Sequence, residues 1–227
     1  MEDIVIETVN LTKIYRLGPV EVRALYDVNL KVRRGEMVAV VGPSGSGKTT
    51  LLNMIGGLDK PTRGKVYIEG MDITRMDDKE LAILRRKKIG FVFQFYNLIP
   101  VLDAYENVEL PLIITGVPEE ERRRRVERLL KLVGLEDRMH HRPDELSGGE
   151  QQKVAIARAL ANNPSIILAD EPTGDLDTET GMKIMNLLKE ISREEKVTVV
   201  VVTHDPQVAA IADRRIHLRD GRIIRED

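Results

Sequence analysis

One glycine-rich stretch has the residue types and spacing of a phosphate-binding loop. It reads Gly42-Pro43-Ser44-Gly45-Ser46-Gly47-Lys48-Thr49-Thr50 and has the form G-x-x-x-x-G-K-T. Its glycines lack a Cβ atom, so the backbone can take positive φ and approach an anion closely. Lys48 supplies a mobile charge for the β- and γ-phosphates, and the Thr49 hydroxyl can ligate Mg²⁺. The stretch therefore predicts a nucleoside triphosphate site.

Two acidic residues follow a second apolar run, residues 165–169. In a protein with a phosphate-binding loop, an Asp at the end of such a strand holds Mg²⁺ through water, which we expect of Asp170. Glu171 is expected to polarise the attacking water as a general base. A solvated strand end is the alternative interpretation, and the phosphate-binding loop argues against it.

Three further side chains could reach a nucleotide, but each is ambiguous by itself. The Tyr15 ring could stack on a base, although a half-buried strand aromatic is the simpler interpretation. Gln94 ends an apolar run and could reach Mg²⁺ or the attacking water, whereas a strand-end glutamine is usually only solvated. His204 ends another apolar run and could contact the γ-phosphate, whereas a lone strand-end histidine is more often incidental.

A second helix start suited to anions is predicted roughly 100 residues after the phosphate-binding loop. Ser147 is a favourable N-cap, and Gly148 and Gly149 leave backbone N–H groups accessible. An ordinary capped helix is the alternative interpretation.

The segments around these residues predict an α/β fold. Strands and hairpins are predicted at 3–9, 26–32, 37–41, 65–73, 89–94, 165–171, 197–204 and 216–224. From Phe95 to Ala161 the pattern becomes helical, which predicts a helical subdomain inserted between two core strands.

One helix of this block is predicted to begin with Pro118 at its first position and to end at Gly134. Its apolar face consists of Val126, Leu129, Leu130 and Val133. We interpret the basic run at 122–125 as the solvated face of this helix, because glutamates one turn away can pair with it.

Composition excludes several classes of protein. The 227 residues carry a net charge of −2, so electrostatics gives no reason to expect a nucleic-acid partner. Cysteine is absent, and no apolar run approaches the length of a membrane span. The acidic start Met1-Glu2-Asp3 has no signal-peptide pattern, which favours a cytoplasmic protein. His140, His141 and His217 have no ligands at metal-binding spacing.

In this order and spacing, the motifs make the chain similar to the ATP-binding cassette (ABC) ATPases over essentially its whole length. The matched features are the adenine-stacking aromatic (Tyr15), the phosphate loop (Gly42 to Thr50), the glutamine loop (Gln94), the family signature (Leu146-Ser147-Gly148-Gly149-Glu150), the magnesium aspartate (Asp170), the catalytic glutamate (Glu171), the loop facing the partner subunit (174–177) and the switch histidine (His204). Residues 57–64, 97–100 and 106–112 further resemble the lipoprotein-releasing, macrolide-efflux and cell-division subgroup.

The resemblance implies a P-loop NTPase core with a mixed sheet, an N-terminal antiparallel β-subdomain and an inserted α-helical subdomain. It implies one domain over 1–227, with the core at 1–94 and 162–227 and the helical subdomain at about 95–161. It also implies that two chains bind two ATP molecules and Mg²⁺ head to tail, with Ser147 to Gly149 of one chain facing the phosphate loop of the other. Hydrolysis would be coupled to transmembrane permease subunits, which places the chain on the cytoplasmic face of the membrane.

Two positions depart from the family pattern. Glu150 replaces the usual signature glutamine and adds charge near a triphosphate, and Lys153 replaces the usual arginine and loses its bidentate geometry. Neither change removes a catalytic atom, so we expect activity.

Two alternative functions remain within the same family. A regulatory ATPase could signal across the membrane without moving a solute, and the sequence does not separate it from a transporter. A soluble cassette acting on nucleic acid or ribosomes usually carries two cassettes or a coiled-coil insertion, and neither pattern is present here.

Overall fold

A computed structural model describes residues 3–227, so Met1 and Glu2 of the acidic N-terminus lie outside the described residues. The strands are β1 (Ile4–Leu17), β2 (Val20–Arg33), β3 (Met37–Val41), β4 (Arg63–Ile68), β5 (Met71–Asp72), β6 (Ile89–Phe93), β7 (Ile166–Asp170), β8 (Thr198–Thr203), β9 (Arg214–Arg219) and β10 (Arg222–Glu226). The α-helices are α1 (Lys48–Ile55), α2 (Asp78–Lys88), α3 (Ala104–Ile114), α4 (Glu119–Leu132), α5 (Gly148–Leu160), α6 (Thr178–Glu194) and α7 (Pro206–Ala209).

A mixed sheet in the order β10-β9-β3-β8-β7-β6 forms the centre of the molecule. Its strands are parallel except for β10, which forms an antiparallel hairpin with β9. Strands β3, β7 and β8 are continuous apolar runs because both faces of the sheet are covered. The register pairs Val41 with Thr203, and Asp170 with both Val202 and Phe93. The carboxyl ends of four strands therefore meet at one edge.

A second, antiparallel sheet in the order β2-β1-β4-β5 covers one face of the mixed sheet together with α1 and α2. Alternate residues of the central strands, such as Val200 and Val202 of β8, belong to this part of the core, whereas Val199 and Val201 belong to the part on the opposite face. The expected α/β class, with a mixed core sheet and an N-terminal antiparallel sheet, is confirmed.

The opposite face of the mixed sheet is covered by α3, α4, α5 and α6. The predicted apolar face of α4 is fully buried. Its basic run pairs mainly with neighbouring glutamates, as in Arg125–Glu121 at 2.6 Å, while Arg122 instead reaches Glu109 on α3. The predicted start of α4 was one position too early: Pro118 is the N-cap, and the helix begins at Glu119.

Helix α2 was not predicted from the sequence. It begins with a capping box in which the Asp77 side chain accepts from the Glu80 N–H and the Glu80 side chain accepts from the Asp77 N–H. Its last turn is entirely basic, residues 85–88. Both features are recognised helix-boundary signals, so the sequence carried the information.

Candidate functional site

The glycine-rich loop connects β3 to α1 at the edge where the strand ends meet. Gly45 and Gly47 take φ angles of 77° and 103°, as the sequence predicted. Gly42 does not have positive φ, but a Cβ atom there would lie 2.1 Å from the Leu218 carbonyl oxygen. The glycines therefore serve two separate needs, backbone conformation at 45 and 47 and close packing at 42.

Two polar side chains of the loop are suited to phosphate. The Lys48 ammonium donates to the carbonyl oxygens of Gly42 and Pro43 at 2.8 and 3.1 Å, which holds its charge over the loop. The Ser46 hydroxyl is buried and has no hydrogen-bond partner among the described residues. A buried donor without an acceptor is costly, and a phosphate oxygen in this cradle would satisfy it. The loop thus fits a triphosphate.

The oxygen atoms of Thr49 and Asp170 lie together beside this loop. The Thr49 hydroxyl donates to Asp170 Oδ1 at 3.2 Å, although the two residues are far apart in sequence. Burial raises the pKa of the Asp170 carboxyl; the Thr49 hydrogen bond and the Lys48 charge lower it, while the Glu171 charge adds to the rise. A half-buried carboxylate beside a hydroxyl offers the oxygen ligands that Mg²⁺ prefers.

Glu171 and His204 form a contact across two neighbouring strand ends. The His204 Nδ1 atom lies 3.0 Å from both carboxylate oxygens of Glu171. Glu171 has a φ angle of 46°, and its N–H donates to the Val202 carbonyl. The backbone thus turns sharply after β7, which fixes where the carboxylate points.

Gln94 follows β6 and contacts the loop at 174–177, a contact that the sequence did not predict. Its Nε2 atom donates to Asp175 Oδ1 at 3.1 Å. A Cβ atom on Gly174 would lie 2.9 Å from the Gln94 side chain, so the two segments approach each other closely. The glutamine loop and the loop predicted to face a partner subunit are therefore in direct contact.

Tyr15 is half-buried and tied to the segment after α1. Its hydroxyl donates to Asp59 Oδ2 at 3.0 Å, and the Lys13 ammonium lies 4.8 Å from the ring centroid. Burial raises the pKa of the Tyr15 hydroxyl, and the Asp59 carboxylate raises it further. These contacts hold the ring without assigning it a ligand, so base stacking by Tyr15 stays a prediction.

The predicted cap of the signature helix is present in full. The Ser147 hydroxyl accepts from the Glu150 N–H at 3.3 Å, and the Glu150 carboxylate accepts from both the N–H and the hydroxyl of Ser147 at 2.8 Å. These bonds from Ser147 hold the pKa of the Glu150 carboxyl below its usual value, and Arg138 and Lys153 act in the same direction. Glu150 therefore completes a capping box.

The structure brings most of the sequence-predicted site residues together at one edge of the mixed sheet. The phosphate loop, Gln94, Asp170, Glu171 and His204 occupy the ends of adjacent parallel strands. In contrast, the side chain of Ser147 hydrogen-bonds only within its own capping box. Residues 3–227 contain no group of three or more His, Asp or Glu side chains arranged as a metal site.

Comparison with known proteins decides the family. The family model for ABC transporters matches residues 25–174. The chain belongs to the ABC transporter family of ATP-binding proteins. It is 58% identical over 219 residues to an uncharacterized ABC transporter ATP-binding protein of Thermotoga maritima, covering 96% of this chain and 93% of that protein.

Solved structures and fused relatives extend this result. The ABC cassette MJ0796 of Methanocaldococcus jannaschii, solved as a dimer in a post-hydrolysis state bound to ADP and Pi, is 55% identical with a TM-score of 0.89, covering 98% of this chain and 97% of that one. The macrolide export ATP-binding/permease protein MacB of Vibrio parahaemolyticus is 48% identical over 224 residues, which are 99% of this chain but 34% of MacB. This ABC chain is an ATPase. Among residues 3–227, none of the helices combines the length and the apolar composition that a membrane span requires.

The Glu150 cap predicts an acid-dependent loss of stability. Since its pKa is lowered by folding, its contribution is complete above the unfolded-state value of 4.5 and is lost as the pH falls through the lower folded-state value. We expect the free energy of unfolding to fall less between about pH 7 and about pH 3.5 in Glu150→Gln than in the parent, measured by denaturant titration. Glu136→Gln, on an exposed turn, is the control and should match the parent. An equal acid loss in Glu150→Gln would contradict the contribution of the Glu150 charge to the cap.

Proposed function

We propose that this ATPase is the nucleotide-binding subunit of a membrane transport complex, which binds MgATP, dimerises head to tail and couples hydrolysis to permease subunits on the cytoplasmic face of the membrane. The observation that carries the proposal is that, within residues 3–227, the Ser147 side chain hydrogen-bonds only within its own capping box and makes no hydrogen bond to the strand-end group. A two-fold dimer would give each signature helix start a phosphate loop on the other chain. The dimeric form of the MJ0796 cassette supports this arrangement.

We assign the binding roles by chemistry. The residues Gly42, Pro43, Ser44, Gly45, Ser46, Gly47, Lys48, Thr49 and Thr50 would hold the phosphates in one chain, with Ser147, Gly148 and Gly149 of the other chain closing the site. Tyr15 would stack on adenine. Thr49, Asp170 and Gln94 would hold Mg²⁺, whose charge would offset that of the β- and γ-phosphate oxygens.

The Glu171–His204 contact suits the hydrolytic step. Glu171 is largely buried and would take the proton of the attacking water as general base. His204 is more exposed and lies within hydrogen-bond distance of that carboxylate, so it would orient Glu171 and contact the γ-phosphate. Gln94 would help to position the water.

The division of the chain is also a proposal. All three helices α3, α4 and α5 fall between residues 104 and 160, which supports a helical subdomain at about 95–161. Residues 1–94 and 162–227 would then form the nucleotide-binding core of a single domain.

The assignment of Glu171 predicts a separation of binding from hydrolysis. Glu171→Gln keeps the shape and removes the charge, so ATP affinity should be retained while turnover falls by about 10²-fold or more. An ATP-bound dimer should accumulate. Phosphate release measures turnover, and equilibrium ATP binding measures affinity. Near-normal turnover in Glu171→Gln would contradict the assignment of Glu171 as the general base.

Lys48→Ala is the matched contrast. Because Lys48 would grip the phosphates of the bound substrate, its loss should weaken ATP affinity itself. Unchanged affinity by calorimetry would contradict the role of the loop.

The head-to-tail dimer predicts a defect at Ser147 that a monomeric NTPase would not show. Ser147→Arg should leave ATP binding to one chain close to normal, since Ser147 bonds only within its own cap. In a Glu171→Gln background it should abolish the ATP-dependent dimer, measured by light scattering with Mg²⁺. Glu119→Arg, at the exposed start of α4, places the same bulk elsewhere and should dimerise normally. A dimer peak of undiminished size for Ser147→Arg would rule out the model.

The groove between α2, β6, α3 and α5 is the surface we assign to the permease. Its volume is about 540 Å³, and its walls include Phe91, Phe93 and Pro111. Leu58 and Ile114, at its rim, have 48% and 58% of their surface exposed. Apolar surface of this kind marks a protein contact.

The charges of the groove indicate the chemistry of its occupant. Arg85, Arg86 and Arg158 line it. Arg85 and Arg158 donate to backbone carbonyl oxygens, and no carboxylate among residues 3–227 forms an ion pair with any of the three. Arg158 is mostly buried, and this burial lowers the pKa of its guanidinium. We therefore expect a cytoplasmic permease segment with apolar side chains and at least one carboxylate.

Charge reversal in the groove tests this assignment. A photoreactive residue at Ile114 should crosslink in membranes to a multi-spanning protein, and the same residue at Val20, which is 57% exposed on the β1–β2 hairpin, should not. Arg86→Glu should weaken the Ile114 crosslink by about tenfold. Arg63→Glu, an exposed arginine of the antiparallel sheet, is the control. Equal crosslinking in Arg86→Glu and the parent would contradict the charge argument.

A further inference from the structure

Gln152 is a fully buried polar residue that lies on α5, in the second turn after the Ser147 cap. Its Nε2 atom donates to the carbonyl oxygen of Phe93 at 3.3 Å and to that of Pro172 at 2.5 Å. Phe93 directly precedes Gln94, and Pro172 directly follows Glu171. One amide group therefore joins the two segments that carry these side chains.

The orientation of this amide is determined by its partners. Both are carbonyl oxygens, which only accept hydrogen bonds, so the NH₂ group must face them. The Gln152 Oε1 atom is then buried with no donor among the described residues. An apolar side chain would avoid that cost but would remove the donors that the Phe93 and Pro172 carbonyl oxygens bind here.

Arg158, further along the same helix, holds the other side of the glutamine loop. Its guanidinium donates to the carbonyl oxygens of Tyr96 and Asn97 at 2.8 and 2.5 Å. Both residues have positive φ angles, 56° and 50°, which non-glycine residues seldom adopt. Helix α5 is therefore hydrogen-bonded to the chain on both sides of Gln94, at Phe93 before it and at Tyr96 and Asn97 after it.

We propose that Gln152 is a positioning residue for hydrolysis, which holds the Gln94 segment and the Glu171 segment at a fixed separation and moves them together with the signature helix. The proposal rests on the catalytic roles assigned above to Gln94 and Glu171. Since Ser147 lies at the start of the same helix, a contact made there by a second chain would reach both segments through Gln152. Gln152 would act through these two carbonyl groups and not on the nucleotide itself.

Removal of the two donated bonds should affect turnover and not substrate binding. Gln152→Leu should lower kcat by about tenfold or more, because Glu171 and Gln94 would no longer be held at a fixed distance from each other. The KM for MgATP should change less than about twofold, because neither carbonyl belongs to the phosphate loop. Gln152→Met, unbranched and of similar length, is the second variant should the leucine form fold poorly.

Gln151→Leu is the matched control. Gln151 is the preceding residue of α5, but its Nε2 atom donates to the Leu146 carbonyl within the cap and reaches neither catalytic segment. Its kcat should stay within about twofold of the parent. Denaturant unfolding of all variants verifies that the assays compare folded protein. Unchanged kcat in both Gln152 variants would overturn the proposal.

A double-mutant cycle with Gln94→Ala tests whether Gln152 acts through the glutamine loop. In the Gln94→Ala background, Gln152→Leu should cost clearly less than it does in the parent, because part of what it positions is already gone. The full tenfold loss in both backgrounds would overturn the proposal. The head-to-tail dimer is tested separately by Ser147→Arg. If the dimer model fails in that test, the double-mutant cycle can still be interpreted.

Discussion

The register of the mixed sheet is the constraint on which the rest of the structure depends. Parallel pairing of β6, β7, β8 and β3 brings four strand ends to one edge, and every one of these ends supplies candidate site residues. A shift of one residue in β7 would turn Asp170 away from Thr49 and exchange the two faces of a strand that is buried on both. The apolar composition of these strands therefore fixes the chemistry of the site as well as the core.

Helix α5 is the second element that the site depends on. Its capped start carries Ser147, and Gln152 and Arg158 further along it hold the segments on either side of Gln94. Arg158 also lines the groove that we assign to the permease. A single rigid helix would thus connect three surfaces: the contact with a second chain, the hydrolytic group and the membrane partner. This arrangement gives a physical route by which events at one of them could reach the others.

The sequence predicted the positions of strand ends and loops better than it predicted side-chain contacts. The phosphate loop, the acidic pair and the Ser147 cap are local patterns, and the meeting of parallel strand ends follows from the topology. The contact between Gln94 and Asp175 joins distant segments, so no local pattern could reveal it. Glu150 shows the same limit: the sequence indicated only added charge near a triphosphate, whereas in the structure its carboxylate completes a helix cap. Helix α2 was not predicted, although its capping box, Asp77 with Glu80, can be recognised in the sequence.

The central claim is that a complete hydrolytic site takes its parts from two chains, and mixing two inactive variants tests it directly. In a dimer of one Glu171→Gln chain with one Ser147→Arg chain, one site would have both the intact Glu171 and the intact Ser147. We therefore expect phosphate release by the mixture to exceed the sum of the separate variants and to peak near equal amounts. Activity equal to that sum at every mixing ratio would contradict the account.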